Sequence, residues 1–176
     1  KMANAVLTLN GLSGGRENLV VGGGGRTMIG MGLKPDRRAT HPRMVQGVRE
    51  CVEFLRAASP TTPLNFNGEL FQVQNYLPDW ASAPAPRLYV AANRPRMLKL
   101  AAELADGVML SDISLHHIAG TVAILHEGLA LRRSGFSRDL AINNLLAWHV
   151  KPDRATAYAE ARRKLWVRCI LERARN

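Results

Sequence analysis

Asn93-Arg94-Pro95-Arg96, followed by Lys99, is the stretch of this sequence best suited to holding an anion. It follows a short apolar run, Leu88-Tyr89-Val90-Ala91-Ala92. A run that short and unalternating reads as a strand buried on both faces, as in a parallel sheet. Pro95 suits the first helical position, where its missing N–H costs nothing and its φ is already helical. Met97, Leu100, Ala101 and Leu104 then recur at helical spacing and form an inward stripe. A helix that opens directly after a parallel strand presents unpaired backbone N–H groups and the positive end of its dipole, and a phosphate binds there readily. A plain solvent-facing loop is the alternative, and these residues alone leave it open.

A second candidate is Gly22-Gly23-Gly24-Gly25, at the carboxyl end of the apolar run Asn18-Leu19-Val20-Val21. Glycines there permit close backbone approach to a ligand or unusual dihedrals. They form no P-loop, because no Gly-Lys-Ser/Thr follows, and no Rossmann fingerprint. A flexible turn is the competing reading. His116, His117, His126 and His149 invite general-acid assignments, but none has an identifiable partner, so surface or core roles are expected. No side chain reads as a convincing general acid or nucleophile. Cys51 and Cys169 lack metal-ligand spacing; two buried, reduced thiols and no metal site are expected.

The elements that position these residues follow from periodicity. Residues 1–12 read as a helix with Met2, Ala5, Val6 and Leu9 inward, and a turn follows at Ser13-Gly14-Gly15-Arg16. Strands are predicted near 18–22, 87–92, 107–111 and 141–149, parallel and adjacent in that order. Residues 42–57 form a helix with Met44, Val48, Val52 and Leu55 inward, and a further helix covers 115–133. Between them, residues 58–85 make an insertion: Leu64–Phe66 and Leu70–Val73 pair as a hairpin about Asn67-Gly68, and lie at the strands' carboxyl ends. Trp80, Pro84 and Pro86 close it. Ala105-Asp106-Gly107 turns the chain into the strand Val108-Met109-Leu110. After the loop Ser134-Gly135-Phe136-Ser137, Asp153 caps a last helix on which Tyr158, Ala161, Leu165 and Cys169 share a face, with Trp166 and Ile170 beside it. Strand-then-helix units in series imply α/β architecture with a parallel sheet.

The 176 residues suffice for one domain with a core. No window has the roughly 18 apolar residues of a membrane span, and no signal peptide follows Lys1-Met2-Ala3-Asn4, so no membrane partner and a cytoplasmic location are expected. The net charge is +10, which raises nucleic acid as a partner. The basic groups Arg37-Arg38, Arg132-Arg133 and Arg162-Arg163-Lys164 are scattered at helix edges or exposed faces, and none is interleaved with stacking aromatics. A nucleic-acid partner is therefore not expected.

Taken together, the motifs resemble luciferase-like flavin-dependent oxidoreductases. Leu12-Ser13-Gly14-Gly15-Arg16 with Val20-Val21-Gly22-Gly23-Gly24 is similar to the family's L-S-G-G-R … G-x-G segment. Phe66-Asn67-Gly68-Glu69-Leu70-Phe71 resembles its F-x-G-x-x-F/Y hairpin. Leu88–Met97 with Ala105-Asp106-Gly107-Val108 resembles its I-Y-V-A-A-x-G-P-x-x … A-D-G-V pattern, except that Arg94 stands where the family usually has glycine. The overlap runs from about Met2 to about Arg162. It is nearest the methylenetetrahydromethanopterin reductase-like branch, which uses the deazaflavin F420; the FMN monooxygenase branch is the alternative.

The resemblance implies a (β/α)8 barrel, which typically needs about 250 residues. The chain would supply about strands four to seven of it, as one partial TIM-barrel domain over 1–176, the 58–85 hairpin being an insertion within it. The early strands, with most catalytic side chains, would lie outside. The implied activity is hydride transfer between F420, or FMN in the alternative, and a small organic substrate. The implied cofactor residues are Ala92, Asn93, Arg94, Pro95, Arg96, Met97 and Gly107, with Gly22 to Gly25 on the substrate side. The uncovered inner face leads to an expectation of self-association, or of assembly with the remainder of a barrel. A half-barrel without cofactor or chemistry is the reading from another class.

Overall fold

The computed structural model describes residues 1–24, 37–82, 84–132, 136–137, 139–146 and 149–164, with the backbone alone at 37–42 and 164. Six strands and five helices occur among them. They are α1 (Met2–Leu12), β1 (Asn18–Val21), α2 (Arg37–Ala57), β2 (Leu64–Asn67), β3 (Gln72–Tyr76), β4 (Arg87–Ala91), α3 (Pro95–Leu104), β5 (Gly107–Ser111), α4 (Leu115–Ala130), β6 (Ala141–Leu145) and α5 (Arg154–Lys164). Gly25, Arg133, Ser134, Gly135, Leu165, Trp166, Cys169 and Ile170 lie outside the described residues.

Four strands form one parallel sheet in the order β1-β4-β5-β6. This is the predicted set in the predicted order. The last strand stops at Leu145, where its ladder with β5 ends at Ser111. α2 begins at Arg37, five residues before the expected start. α3 packs on α2 and α4 and covers β4 and β5. The core lies between this helical layer and the sheet, built on Leu88, Val90, Val108 and Leu110 below Leu98, Leu100, Ala101 and Leu104. Leu98 joins the stripe expected on α3, while Met97 is only half-buried.

β4 is buried on one face, not two. Leu88 and Val90 point into the core, whereas Tyr89 is half-buried and Ala91 exposed. Strand register puts Val20, Tyr89, Met109 and Leu145 toward the opposite face. Four twisted strands do not close a barrel, and among the described residues no further strand faces this side of the sheet. Val20 stays 43% and Leu145 59% exposed.

α1 is rotated from its expected setting. Ala3, Val6, Leu7 and Asn10 are its buried residues, and Met2 and Leu9 are about half exposed. A polar anchor explains this: fully buried Asn10 donates Nδ2–H to the carbonyl of Pro84 at 2.7 Å. Burying that amide unpaired would cost more than exposing a leucine edge.

β2 and β3 pair antiparallel, but Asn67-Gly68 is not the whole turn. Asn67 pairs with Gln72, so residues 68–71 form the connection and Leu70 and Phe71 leave the ladder. Glu50 on α2 draws them out. Its carboxylate accepts N–H bonds from Glu69 (2.8 Å), Leu70 (2.9 Å) and Phe71 (2.9 Å), and one from Gln46 Nε2 (2.7 Å). The hairpin lies along α2 and α1: Phe54 meets Phe66 edge-on, and the Tyr76 hydroxyl donates to Asn4 Oδ1 at 2.9 Å. Only its loop reaches the carboxyl end of β1, where Leu70 and Phe71 face Gly22 and Gly23 across a hollow.

Asp153 caps α5 as expected, accepting the Thr156 N–H at 2.8 Å. Tyr158 is 54% exposed and lies on no packed face among the described residues. Arg132 is not a free surface cation: Nη1 donates to the carbonyl of Ala102 at 2.7 Å, beside the ring of Phe136. Burial pulls its pKa down from the usual arginine value. Cys51 is half-buried and unbridged, and burial pushes its thiol pKa up, as suits an inert core cysteine.

Candidate functional site: the carboxyl ends of β4 and β5

β4 ends where the chain turns through Asn93 and Arg94 into α3. Arg94 is extended (φ −115°, ψ 148°), Pro95 opens the helix, and the Arg94 carbonyl accepts the Leu98 N–H at 2.9 Å. Arg94 makes no side-chain cap. The N–H groups of Arg96 and Met97 are thus left without the oxygen that a Ser, Thr, Asp or Asn would supply. α4 opens in the same manner next door. The hydroxyl of its N-cap Ser114 is hydrogen-bonded to the ring of His117 (2.9 Å to Nδ1) and not to the helix backbone. The two helix openings border one cleft of about 280 Å³, lined by Asn93, Arg94, Pro95, Ser114, His116 and His117 over a floor of Leu98 and Ile113.

The predicted site residues separate into three groups. Arg94, Pro95 and Arg96 are exposed at this cleft's edge or beside it. Ala92 is buried, and its N–H bonds the Met109 carbonyl at 3.0 Å; Met97 packs against the core. These two can offer a ligand little beyond backbone. Gly107 is elsewhere. It starts β5, at the amino end of the sheet, in register with Tyr89 and Ala141. A Cβ there would run into the Tyr89 ring and come within 2.8 Å of the Ala141 carbonyl oxygen. Its assignment to the cofactor is corrected to packing: only glycine leaves room for that ring.

Gly22 abuts Ala91, since a Cβ on it would lie 3.1 Å from the Ala91 Cβ. The glycine run therefore shares the sheet's carboxyl edge with the β4–α3 turn. It opens, however, onto a separate apolar hollow of about 650 Å³ between β1, α2 and Phe71. A Cβ on Gly23 would stand 2.8 Å from the Met44 Sδ, the end of a flexible side chain that can move aside. Gly24 has a positive φ of 62°. His126 is exposed on α4. His149 Nε2 is 3.2 Å from Glu160 Oε2, outside hydrogen-bonding direction. No group of three or more His, Cys, Asp or Glu among the described residues is placed to hold a metal.

Asp106 and Asn144 carry structure that sequence reasoning missed. Asp106 ties the amino ends of the sheet, accepting the Leu88 N–H at 2.7 Å and pairing with Arg56 at 2.6 Å. Asn144 holds the β5–α4 loop at Ile113 (3.3 and 3.0 Å). Both act across long sequence separations, and no local spacing announces them.

A model of the luciferase-like monooxygenase family matches residues 1–175. The chain belongs to that family. Among the family's curated proteins, the 5,10-methylenetetrahydromethanopterin reductase of Archaeoglobus fulgidus is 32% identical to this chain over 138 residues, covering 78% of the chain and 39% of the reductase. A solved F420-dependent secondary alcohol dehydrogenase, in complex with an F420-acetone adduct, is similar in fold, with a TM-score of 0.76 at 22% identity. That likeness covers 92% of this chain and 48% of the dehydrogenase. The chain thus spans less than half the length of either, and its parallel sheet corresponds to part of the family's TIM barrel.

Proposed function

We propose that this chain is the cofactor-tail-binding part of an F420-dependent oxidoreductase acting on a small organic substrate. The observation that carries this reading is the uncapped opening of α3 beside Arg94 and Arg96, at the carboxyl end of a parallel strand, in a luciferase-like chain. The residues fit a phosphate-bearing group: a helix opening without a side-chain cap and its favourable dipole lie beside a cleft that Arg94 lines. F420, when bound, supplies the hydride acceptor or donor. The chain's own part is to hold the anionic tail and so orient the ring. The similar F420-dependent dehydrogenase, solved with an F420 adduct, supports F420 over FMN, although FMN would present a phosphate to the same turn. The reading carries with it a cytoplasmic location.

Replacing Arg94 by Glu tests it. The dipole contributes about 0.3–1 kcal/mol and a charge-assisted hydrogen bond about 1.5–3 kcal/mol, so F420 affinity should fall more than tenfold. Arg163→Glu, on exposed α5, should change it less than twofold. F420-absorbance titrations at fixed ionic strength, with FMN fluorescence in parallel, read both. Equal losses would assign the attraction to general positive charge; no loss in either would remove the turn from cofactor binding.

The same reading includes self-association, or assembly with further barrel strands, through the open inner face and the β1 and β6 edges. Sedimentation velocity should show species heavier than the 19.3 kDa monomer. A compact monomer with a cooperative melt would count against it.

A further inference from the structure

Asn93 sits where β4 leaves the sheet. The last main-chain rung joins the Ala92 N–H to the Met109 carbonyl at 3.0 Å. The next rung is made by a side chain: Asn93 Oδ1 accepts the Ser111 N–H at 2.9 Å, and Nδ2 donates to the Ser111 carbonyl at 2.8 Å. A carboxamide offers the same donor and acceptor as a peptide unit. It therefore continues the ladder while the main chain turns away into Arg94 and Pro95. Both polar atoms of the Asn93 amide are engaged with Ser111, although the residue itself borders the cleft.

We propose that Asn93 is a positioning residue: it anchors the β4–α3 turn to the end of β5 and so sets where the Arg96 and Met97 N–H groups point. This rests on the reading that the turn holds a phosphate-bearing group. It reassigns Asn93 from ligand contact to the device that aims the contacts. Without the anchor the turn has one fewer tie to the sheet, and the donors lose their preset direction, which is what makes a small anion site selective.

The structure contains a matched control. Asn144 grips the backbone of Ile113 with the same pair of bonds, at 3.3 and 3.0 Å, from the opposite neighbour of β5. It holds the β5–α4 loop, and its two side-chain hydrogen bonds go to Ile113 and not to the β4–α3 turn. Loss of either amide removes two hydrogen bonds; loss of Asn93 alone should unaim the donors.

The experiment compares Asn93→Ala, Asn93→Ser, Asn144→Ala and Arg94→Glu in titrations with F420 and with its phosphate-free deazaflavin alcohol. Amide exchange at Ser111 and Ile113 and the melting midpoint are measured alongside. Asn93→Ala should weaken F420 at least tenfold and the phosphate-free ligand less than twofold, with faster exchange at Ser111. Asn93→Ser should fall between Asn93→Ala and the unchanged protein, and gives the second measurement should the alanine variant fold poorly. Asn144→Ala should lower the midpoint comparably and speed exchange at Ile113; because Ile113 floors the cleft, any loss of affinity should be the same for the two ligands. Equal weakening of the two ligands, or equal effects of the two asparagines, would make Asn93 merely structural and overturn the inference. So would an unchanged F420 affinity in Asn93→Ala where Arg94→Glu weakens it, and that result would leave the phosphate reading intact. A protein that binds the two ligands equally, or is indifferent to Arg94→Glu, would overturn the phosphate reading and this inference with it.

Discussion

Glu50→Ala is expected to destabilise the protein by about 3 kcal/mol or more, since a donor that loses its partner costs roughly 1–3 kcal/mol and three partly covered N–H groups lose theirs at once, at the low end of that range. Glu50 is 2% exposed and sits on the middle of α2. Its carboxylate has no cation among its hydrogen-bonding partners; it is held by three successive backbone N–H groups of the hairpin loop and by Gln46. Such charge-assisted bonds are what make a buried carboxylate tolerable. Gly68 belongs to the same arrangement, because a Cβ there would lie 2.6 Å from the Glu50 carboxyl carbon. A loss of that size is a large fraction of the 5–15 kcal/mol by which domains are typically stable. Chemical denaturation should show a lower midpoint, with Leu70 and Phe71 losing amide protection first. A variant with unchanged midpoint would show that the loop does not depend on the carboxylate.

The same group sets a pH dependence. Burial pushes the Glu50 pKa up, but the hydrogen bonds from Gln46 and from the Leu70, Phe71 and Glu69 N–H groups outweigh it and hold the carboxyl below its usual range. A pKa lowered by folding contributes stability that is fully present above the unfolded value, near 4. That stability is lost as pH falls through the folded value. The melting midpoint of the unmodified protein should therefore drop on acidification below about pH 4, and Glu50→Gln should flatten that part of the curve.

Gly128→Val is expected to cost about 3 kcal/mol or more, at the upper end of overpacking penalties. Gly128 is the buried contact of α4 on α3. A Cβ would lie 2.7 Å from the Ala102 Cβ, 2.7 Å from the Lys99 carbonyl oxygen and 2.9 Å from its Cα. Two of those atoms are backbone, and α3 cannot retreat because Leu98, Leu100, Ala101 and Leu104 press it onto the sheet. Shifting α3 would also move the opening turn that faces the cleft, so F420 affinity should fall with stability. Gly120 on the same helix has open space around it. Gly120→Ala should be stabilising by about 0.5–1 kcal/mol from helix propensity alone. Thermal melts of the two variants check this contrast; equal midpoints would mean that α3 and α4 are not locked at Gly128.

The strand-then-helix order, the parallel sheet and the β4–α3 turn were legible in the sequence because their signals are local. Leu88–Ala92 is a short apolar run of the kind a parallel strand needs, although only its Leu88 and Val90 face is buried. Pro95 marks the first turn of a helix, and Asp153 marks another by its own side chain. Family membership was legible for a related reason: turns and strand edges fix residue types at set spacings.

What tertiary structure alone decided are polar pairings between residues far apart in the chain. Asn10 to Pro84 rotates α1; Glu50 to residues 69–71 reshapes the hairpin loop. Asn93 to Ser111 ties the β4–α3 turn to the end of β5, and the Tyr89 ring lies where a side chain on Gly107 would be. Periodicity reports which face of an element is apolar. It carries no information about which buried donor meets which acceptor, because that depends on how the elements are docked and is decided by the cost of leaving either one unpaired.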